Sequence, residues 1–276
     1  MELSKVLEIL GTKYVNIHKP KYIYVGEYMN VKYAIKIIKI KKVEIRNRVI
    51  NEIKILQILK EYTIDNIVSI IESFDFDNYM VIVTNFIEGD DMVDYNYEDY
   101  NNIKLLKIVY EIVKTIKKLH DLRIIHGDIK LDNIMYDGTK IILVDFGFSR
   151  YDDDFESKCM GSVNYTPIEV FNQNVKCQKS VDIHCLGITI YVLLSHKFPY
   201  HGANDRDYIL NVTNKLVLPD MIIFDTSTDV KLNKIGEVIM KMIDKDWNNR
   251  PNIDEIISVL EDHDEILNKT ESLKMK

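Results

Sequence analysis

The chain has 276 residues, 46% of them apolar, and carries 36 Lys and Arg against 43 Asp and Glu for a formal net charge of -7. That length and apolar content allow a sizeable core in two lobes rather than one small domain, and the acidic balance argues against a general binder of nucleic-acid backbones while suiting a basic protein partner. Three cysteines, Cys159, Cys177 and Cys185, form no CxxC pair and leave one thiol over, so neither a disulfide framework nor a structural zinc site is suggested and a reducing, intracellular setting is expected.

MELSKVLEIL, residues 1–10, sets Glu2, Lys5 and Glu8 among apolar residues, which is a helix pattern and not a signal-peptide core. Between about 12 and 40, YIYVGEY and VKYAIKIIKI read as strands joined by short turns. Residues 44–60 switch to helical spacing, with Val49, Ile53, Leu56 and Leu59 on one face, and ESFDFDNYMVIVTNFIEG returns to strands. From 101, NNIKLLKIVYEIVKTIKKLH places Asn at the start of a long amphipathic helix whose apolar face is Ile103, Leu106, Tyr110, Val113 and Ile116. Two short strands are expected around the DGT turn at 137–139. The run VDIHCLGITIYVLL at 181–194 is too short to cross a bilayer and is interrupted by Asp182 and His184, so it predicts a helix buried all round and no membrane span. Beyond it the chain reads as helical, punctuated by Pro199, Pro219 and Pro251. No internal repeat of the solenoid type is present. The polar, acidic stretch Glu88 to Asp94 marks the boundary between a first lobe, 1–88, and a second, 89–276.

The densest chemistry lies in IIHGDIKLDNIMYDGTKIILVDFG, residues 124–147. Asp128 follows the strand-like Ile124-Ile125 and sits in a loop, where a carboxylate can face a hydroxyl. Lys130 and Asn133 return to the same side of that loop, and Asp145 emerges at the end of the apolar strand IILV. A carboxylate with an amide oxygen suits Mg²⁺, which keeps waters and phosphate oxygens as its other ligands. A base, a lysine for a transferring phosphoryl group and a Mg²⁺ pair make a phosphotransfer site.

Seven motifs in order carry a resemblance to eukaryotic-type protein kinases over roughly residues 12–262. HGDIKLDN resembles the family's HRDLKxxN, DFG stands intact at 145–147, and YAIK at 33–36 resembles VAIK. NEIKILQIL supplies Glu52 as the partner of Lys36. GSVNYTPIE at 161–169 resembles the end of the activation segment, DIHCLG at 182–187 the central-helix motif, and WNNRP at 247–251 carries the Arg250 expected to pair with Glu169. Each fragment alone is weak, since a lone DFG is usually a turn after a strand; order and spacing together are what defeat the bland alternative.

The resemblance implies an α+β, bilobal protein-kinase fold with a small, mostly β N-lobe and a larger, mostly helical C-lobe. It implies ATP and Mg²⁺ as cofactors, Asp128 and Lys130 as catalytic residues, and Asn133 and Asp145 as metal ligands. Lys36, fixed by Glu52, would position the α and β phosphates. Thr84 would be the gatekeeper, Asn85, Phe86 and Ile87 the hinge to the adenine, and Ala34 and Met135 complete the nucleotide-binding set. Lys130, with a serine at 162, is tied by the resemblance to transfer onto serine or threonine. His126, His184 and Cys185 read as structural or packing residues.

One rival and two departures matter. Antibiotic and choline kinases share HGDxxxxN, but they usually lack the lysine two after the catalytic Asp, the DFG glycine and the 161–169 segment with its distant arginine. The glycine-rich loop is missing: YVNIHKPKYIYVG stands in its place, and Lys19 and Lys21 either supply charge to phosphates or form a solvated pair on a hairpin, with Pro20 removing one N–H. That loss keeps a pseudokinase scaffold open as a second reading, although Lys36, Asp128, Lys130, Asn133 and Asp145 all remain. Finally, Gly127 replaces the arginine that in the family receives an activation-loop phosphate, which predicts that loop phosphorylation is not the main switch. The acidic run YDDDFE at 151–156 reads as a solvated loop. A narrower resemblance to kinases of large DNA viruses, the baculovirus late kinase among them, implies basic DNA-packaging proteins as substrates.

Overall fold

The computed structural model describes residues 3–19, 23–95, 102–154, 160–171, 178–200 and 230–262. In chain order the elements are α1 (Leu3–Gly11), β1 (Val15–His18), β2 (Tyr24–Tyr28), β3 (Val31–Lys39), α2 (Val43–Glu61), β4 (Ile70–Phe76), β5 (Tyr79–Asn85) and β6 (Asp90–Asp91). They continue with α3 (Asn102–Asp121), β7 (Ile124–Ile125), a 3₁₀ turn (Leu131–Asn133), β8 (Ile134–Tyr136), β9 (Ile141–Leu143), β10 (Arg150–Tyr151), α4 (Ile168–Phe171), α5 (Lys179–Ser195) and α6 (Val230–Met242). A last helical stretch covers 253–262. Pro20, Lys21, Asn101, Phe155, Glu156, Cys159, Cys177 and Pro219, all weighed above, lie outside the described residues. The described part is α+β, as expected.

Two compact units form, 1–90 with 135–149, and 91–134 with 150–276. The segment 135–149, assigned above to the second lobe by its place in sequence, packs with the first unit. Its strand β9 is tied there by backbone bonds, Leu143 N–H to Asn66 O at 2.8 Å and Val68 N–H to Leu143 O at 3.0 Å.

The first unit is built on an antiparallel sheet of order β1-β2-β3-β5-β4. Register places Ala34 opposite Thr84, Ile35 opposite Val83 and Lys36 opposite Ile82. Because side chains alternate along a strand, Ala34, Lys36, Ile82 and Thr84 share one face, and Ile35, Val81 and Val83 the other. Helix α1 covers the second face through Val6 and Leu10, joined by Tyr14 just after it, in one buried cluster with Ile35, Val81 and Val83. The Tyr14 hydroxyl donates to Glu72.

Helix α2 buries Val49, Glu52, Ile55, Leu56 and Leu59, whereas Ile53, expected on the apolar face, is only half-buried. The face is turned so that a carboxylate, not an isoleucine, points inward.

In the second unit α5 is buried on every side, from Val181 through Tyr191. Against it pack α3 and α6, with Val109, Ile112, Val113 and Ile116 of α3 and Ile239 and Met242 of α6 all buried. Gly187 permits that contact: a Cβ there would come within 2.8 Å of Met242 and Ile243 side chains. Tyr110 of α3 is half-buried and carries its hydroxyl to Glu261 at 2.8 Å instead of entering the core; the side chain of Ile103 lies outside the described residues. No described helix is long and apolar enough to cross a membrane.

Candidate active site

In the first unit, a cavity opens on the sheet face that carries Lys36. Ala34, Lys36, Glu52, Thr84, Asn85, Phe86, Ile87, Met135 and Asp145 all line it, so the nucleotide-binding residues expected from sequence come together at one place, with Asp145 beside them. The lining also includes Ile23, Leu56, Val68, Ile82, Val144 and Phe146, which the sequence reading did not assign to nucleotide binding. Two had a signal: Ile82 is the register partner of Lys36, and Leu56 is one turn on from Glu52. The mostly apolar lining, with a few polar groups, suits a planar base with a polar tail.

Lys36 Nζ lies 2.7 Å from Glu52 Oε1 and 2.7 Å from Asp145 Oδ1. Burial disfavours the ammonium, but the two carboxylates outweigh it and hold the Lys36 pKa above its ordinary value. Burial pushes the Glu52 carboxyl up, and Lys36 offsets this only in part. Asp145 has φ of +58°, a left-handed conformation that Asp tolerates better than most residues, and its Oδ1 also accepts the Gly147 N–H at 3.2 Å. Asn85, expected at the hinge, commits its side-chain oxygen to the Ser69 N–H at 2.7 Å. Lys19 places its ammonium over the Tyr24 ring, 5.4 Å from the centroid.

In the second unit, Asp128 is buried and its carboxylate is held from two sides. Oδ1 accepts the Ser162 N–H at 2.7 Å, and Oδ2 accepts the Asn133 amide at 3.1 Å. The same Asn133 nitrogen reaches the Asp128 carbonyl at 2.8 Å. Lys130 Nζ donates to Ser162 Oγ at 2.9 Å and stands 3.6 Å from Asp128 Oδ2. Gly161 makes the Ser162 contact possible, because a Cβ at 161 would sit 2.8 Å from the Gly127 carbonyl. The loop itself hangs from Asp182, which accepts the backbone N–H of His126 and of Gly127, each at 2.8 Å, and the His120 Nε2 at 3.0 Å. Sequence reasoning missed His120, whose partner lies 62 residues away on another helix. His126 Nδ1 accepts the Asp128 N–H at 3.3 Å.

Glu169 and Arg250 form a buried two-pronged pair, 2.5 and 3.0 Å, and Arg250 also donates to the Asp244 and Ser180 carbonyls. His184 and Cys185 are buried in α5, and burial keeps the imidazole neutral and the thiol pKa far up.

The acidic run after β10 is not simply solvated. Asp152 Oδ1 meets Arg123 Nη2 at 2.8 Å and its Oδ2 lies 3.5 Å from Lys179 Nζ, while Asp153 reaches Arg123 at 3.2 Å. Backbone pairing of β10 with β7 and an Asp152 N–H to Arg123 O bond bring these charges together, which local sequence does not reveal.

Oxygen donors of the kind Mg²⁺ takes alongside phosphate oxygens and waters are present in each unit: the Asp145 carboxylate in the first, and in the second the side-chain oxygen of Asn133, whose nitrogen is committed to Asp128. Among the described residues no cluster of three or more His, Cys, Asp or Glu could hold a metal unaided.

Residues 22–259 match the family model described as protein kinase domain. The chain is similar to myosin light chain kinase family member 4 of Homo sapiens, 27% identical over 257 residues, which is 89% of this chain and 63% of that protein. It is similar to calcium/calmodulin-dependent protein kinase type 1 of Caenorhabditis briggsae, 26% identical over 174 residues, covering 59% and 46%. Serine/threonine-protein kinase PSK2 of Saccharomyces cerevisiae is 27% identical over 215 residues, covering 75% and 18%. The chain thus spans less than two thirds of the length of these relatives.

Proposed function

The chain belongs to the protein kinase domain family, and from that premise we propose that it transfers the γ-phosphoryl group of Mg-ATP to a serine or threonine hydroxyl of a protein substrate. The observation that carries this reading is the Lys36 ammonium, held between Glu52 and Asp145 in the mostly apolar cavity.

In this reading Lys36 draws the α and β phosphates, and Glu52 fixes the direction of its long side chain. Thr84, Phe86 and Ile87, with Ala34 and Met135, receive the base. Asp128, oriented by Ser162 and Asn133, accepts the proton of the attacking hydroxyl. Lys130 neutralises charge on the group in flight and is kept in reach by the Ser162 hydroxyl. Asn133 and Asp145 would hold Mg²⁺, which when bound neutralises the phosphate oxygens. Lys130 with Ser162 supports a serine or threonine acceptor, and the acidic net charge supports a basic protein as substrate.

The missing glycine-rich run favours one other reading, a nucleotide-binding scaffold without transfer. Transfer of labelled phosphate from Mg-ATP to an arginine-rich protein, beside Asp128→Asn and Asp145→Asn, separates the two. Transfer lost in both variants supports a kinase, and none from the unaltered protein supports the scaffold.

A further inference from the structure

Helix α2 touches the 145–149 segment at more points than the Glu52 to Lys36 to Asp145 relay. Asn51 Nδ2 donates to the Ser149 carbonyl at 2.6 Å. The Arg48 guanidinium lies over the Phe148 ring, 4.9 Å from its centroid. Arg48, Asn51 and Glu52 are spaced three and four residues apart, so they form one stripe of the helix. Every contact lies within the first unit.

The two neighbours on that stripe do different work. Glu52 reaches Asp145 only through the Lys36 ammonium, a flexible four-carbon arm about a third exposed. Such a relay tolerates rotation or sliding of the helix, because the lysine can follow. A short amide bonded directly to a main-chain carbonyl does not follow, since a shift of about 1 Å takes it out of hydrogen-bonding range. The Ser149 carbonyl is two residues beyond Gly147, so fixing it limits where the turn that presents Asp145 can sit. The Asp145 carboxylate already depends on that turn, through its bond from the Gly147 N–H and its positive φ.

We propose that Asn51 is a positioning residue for phosphotransfer: it locks the register of α2 to the 145–149 turn, with Arg48 on Phe148 as a second fastening, so that Glu52, Lys36 and Asp145 are assembled before any nucleotide arrives. This rests on the phosphotransfer reading. Asn51 touches no reacting atom in it and acts through Glu52 and Asp145. The fastening is made from side chains encoded in α2, so the lysine site is held without a modification or a partner.

The test compares the unaltered protein with Asn51→Asp, Asn51→Ser and, as a control on the exposed face of the same helix, Lys54→Ala. Asn51→Asp keeps the shape but replaces the donor with a second acceptor facing a carbonyl; Asn51→Ser keeps a shorter donor. The expected result is a fall in kcat/KM for Mg-ATP of about tenfold or more in Asn51→Asp, partial rescue in Asn51→Ser and no change in Lys54→Ala. Melting temperatures should agree closely, and amide exchange over 145–149 should quicken in Asn51→Asp. Full kcat/KM in Asn51→Asp overturns the proposal. So does a loss matched by a general fall in melting temperature, which would make the role structural. Should the unaltered protein transfer no phosphate, the phosphotransfer reading fails by itself. Exchange then decides the fastening: unchanged exchange over 145–149 removes it, and quickened exchange retains it.

Discussion

Lys36 and Glu52 are joined at 2.7 Å, with the carboxylate buried and the lysine partly open to the cavity. Removing one partner leaves the other unmatched, whereas removing both does not. Lys36→Met is therefore expected to abolish transfer and to destabilise the protein by about 1–2 kcal/mol, discounted for the exposure of the lysine. Lys36→Met with Glu52→Leu should regain most of that stability and none of the activity. Denaturant midpoints beside transfer assays check both halves.

Ser162 offers Asp128 a backbone donor and Lys130 a hydroxyl. Ser162→Ala keeps the first and deletes the second, so the base stays oriented while the lysine loses its anchor. Transfer should fall by about tenfold, with stability changed by less than about 1 kcal/mol. Ser162→Thr should restore it. A substitution that leaves kcat untouched would remove Lys130 from the transfer step.

Asp182 is wholly buried, and burial alone would raise its pKa. The His120 bond, electrostatic attraction to the His120 and His126 rings and the Gly127 N–H outweigh burial and hold the carboxyl below its ordinary value. A depressed acid contributes stability that is complete above the unfolded value, near pH 4, and is lost as pH falls through the folded one. Asp182→Asn should lower stability by about 2–3 kcal/mol at neutral pH and flatten the acid limb of the stability profile below pH 4. An unaltered acid limb would assign that dependence to other carboxyls.

Glu169 and Arg250 are almost fully buried, so their pair should respond to one-sided removal more than any surface pair. Arg250→Met leaves a carboxylate in an apolar setting and should cost about 3–5 kcal/mol. Glu169→Leu with Arg250→Met should cost less than Arg250→Met alone. Urea unfolding of the three variants measures the coupling.

Arg123, Asp152, Asp153 and Lys179 tie the start of the activation segment by charge that is encoded rather than added. Phosphatase treatment should leave transfer unchanged, and Asp152→Asn should reduce it several-fold, with the difference shrinking as salt is raised. Rates measured across a salt series give the answer directly.

The strands around Lys36 were legible because they are local: YAIK and YMVIVTN are short, mainly apolar runs, but Tyr79 to Val83 are buried on both faces without alternation, so the register that sets Lys36 opposite Ile82 comes only from the structure. Asp128, Lys130 and Asn133 were legible because six residues of one loop hold them all. The fastening of Asn51 to Ser149 was not, since 98 residues separate them and an amide on a helix face has no periodic signature. Arg123 with Asp152 was hidden for the same reason; the acids read as solvated until β10 paired with β7. Ile53 misled because an apolar residue was taken to mark the inward face, where the structure turns Glu52 inward toward Lys36.

Helix α1 has a practical consequence for anyone preparing this protein. The family match begins at residue 22, and trimming the chain there would strip Val6, Leu10 and Tyr14 from Ile35, Val81 and Val83. The cut would also remove β1 and leave one face of a four-stranded sheet bare, the sort of greasy surface that drives molecules to clump in the tube. Because Ile35 and Lys36 are adjacent on one strand, the damage would begin a single residue from the cavity. An expression trial that begins at Met1 should give monodisperse material where one that begins at residue 22 gives aggregate.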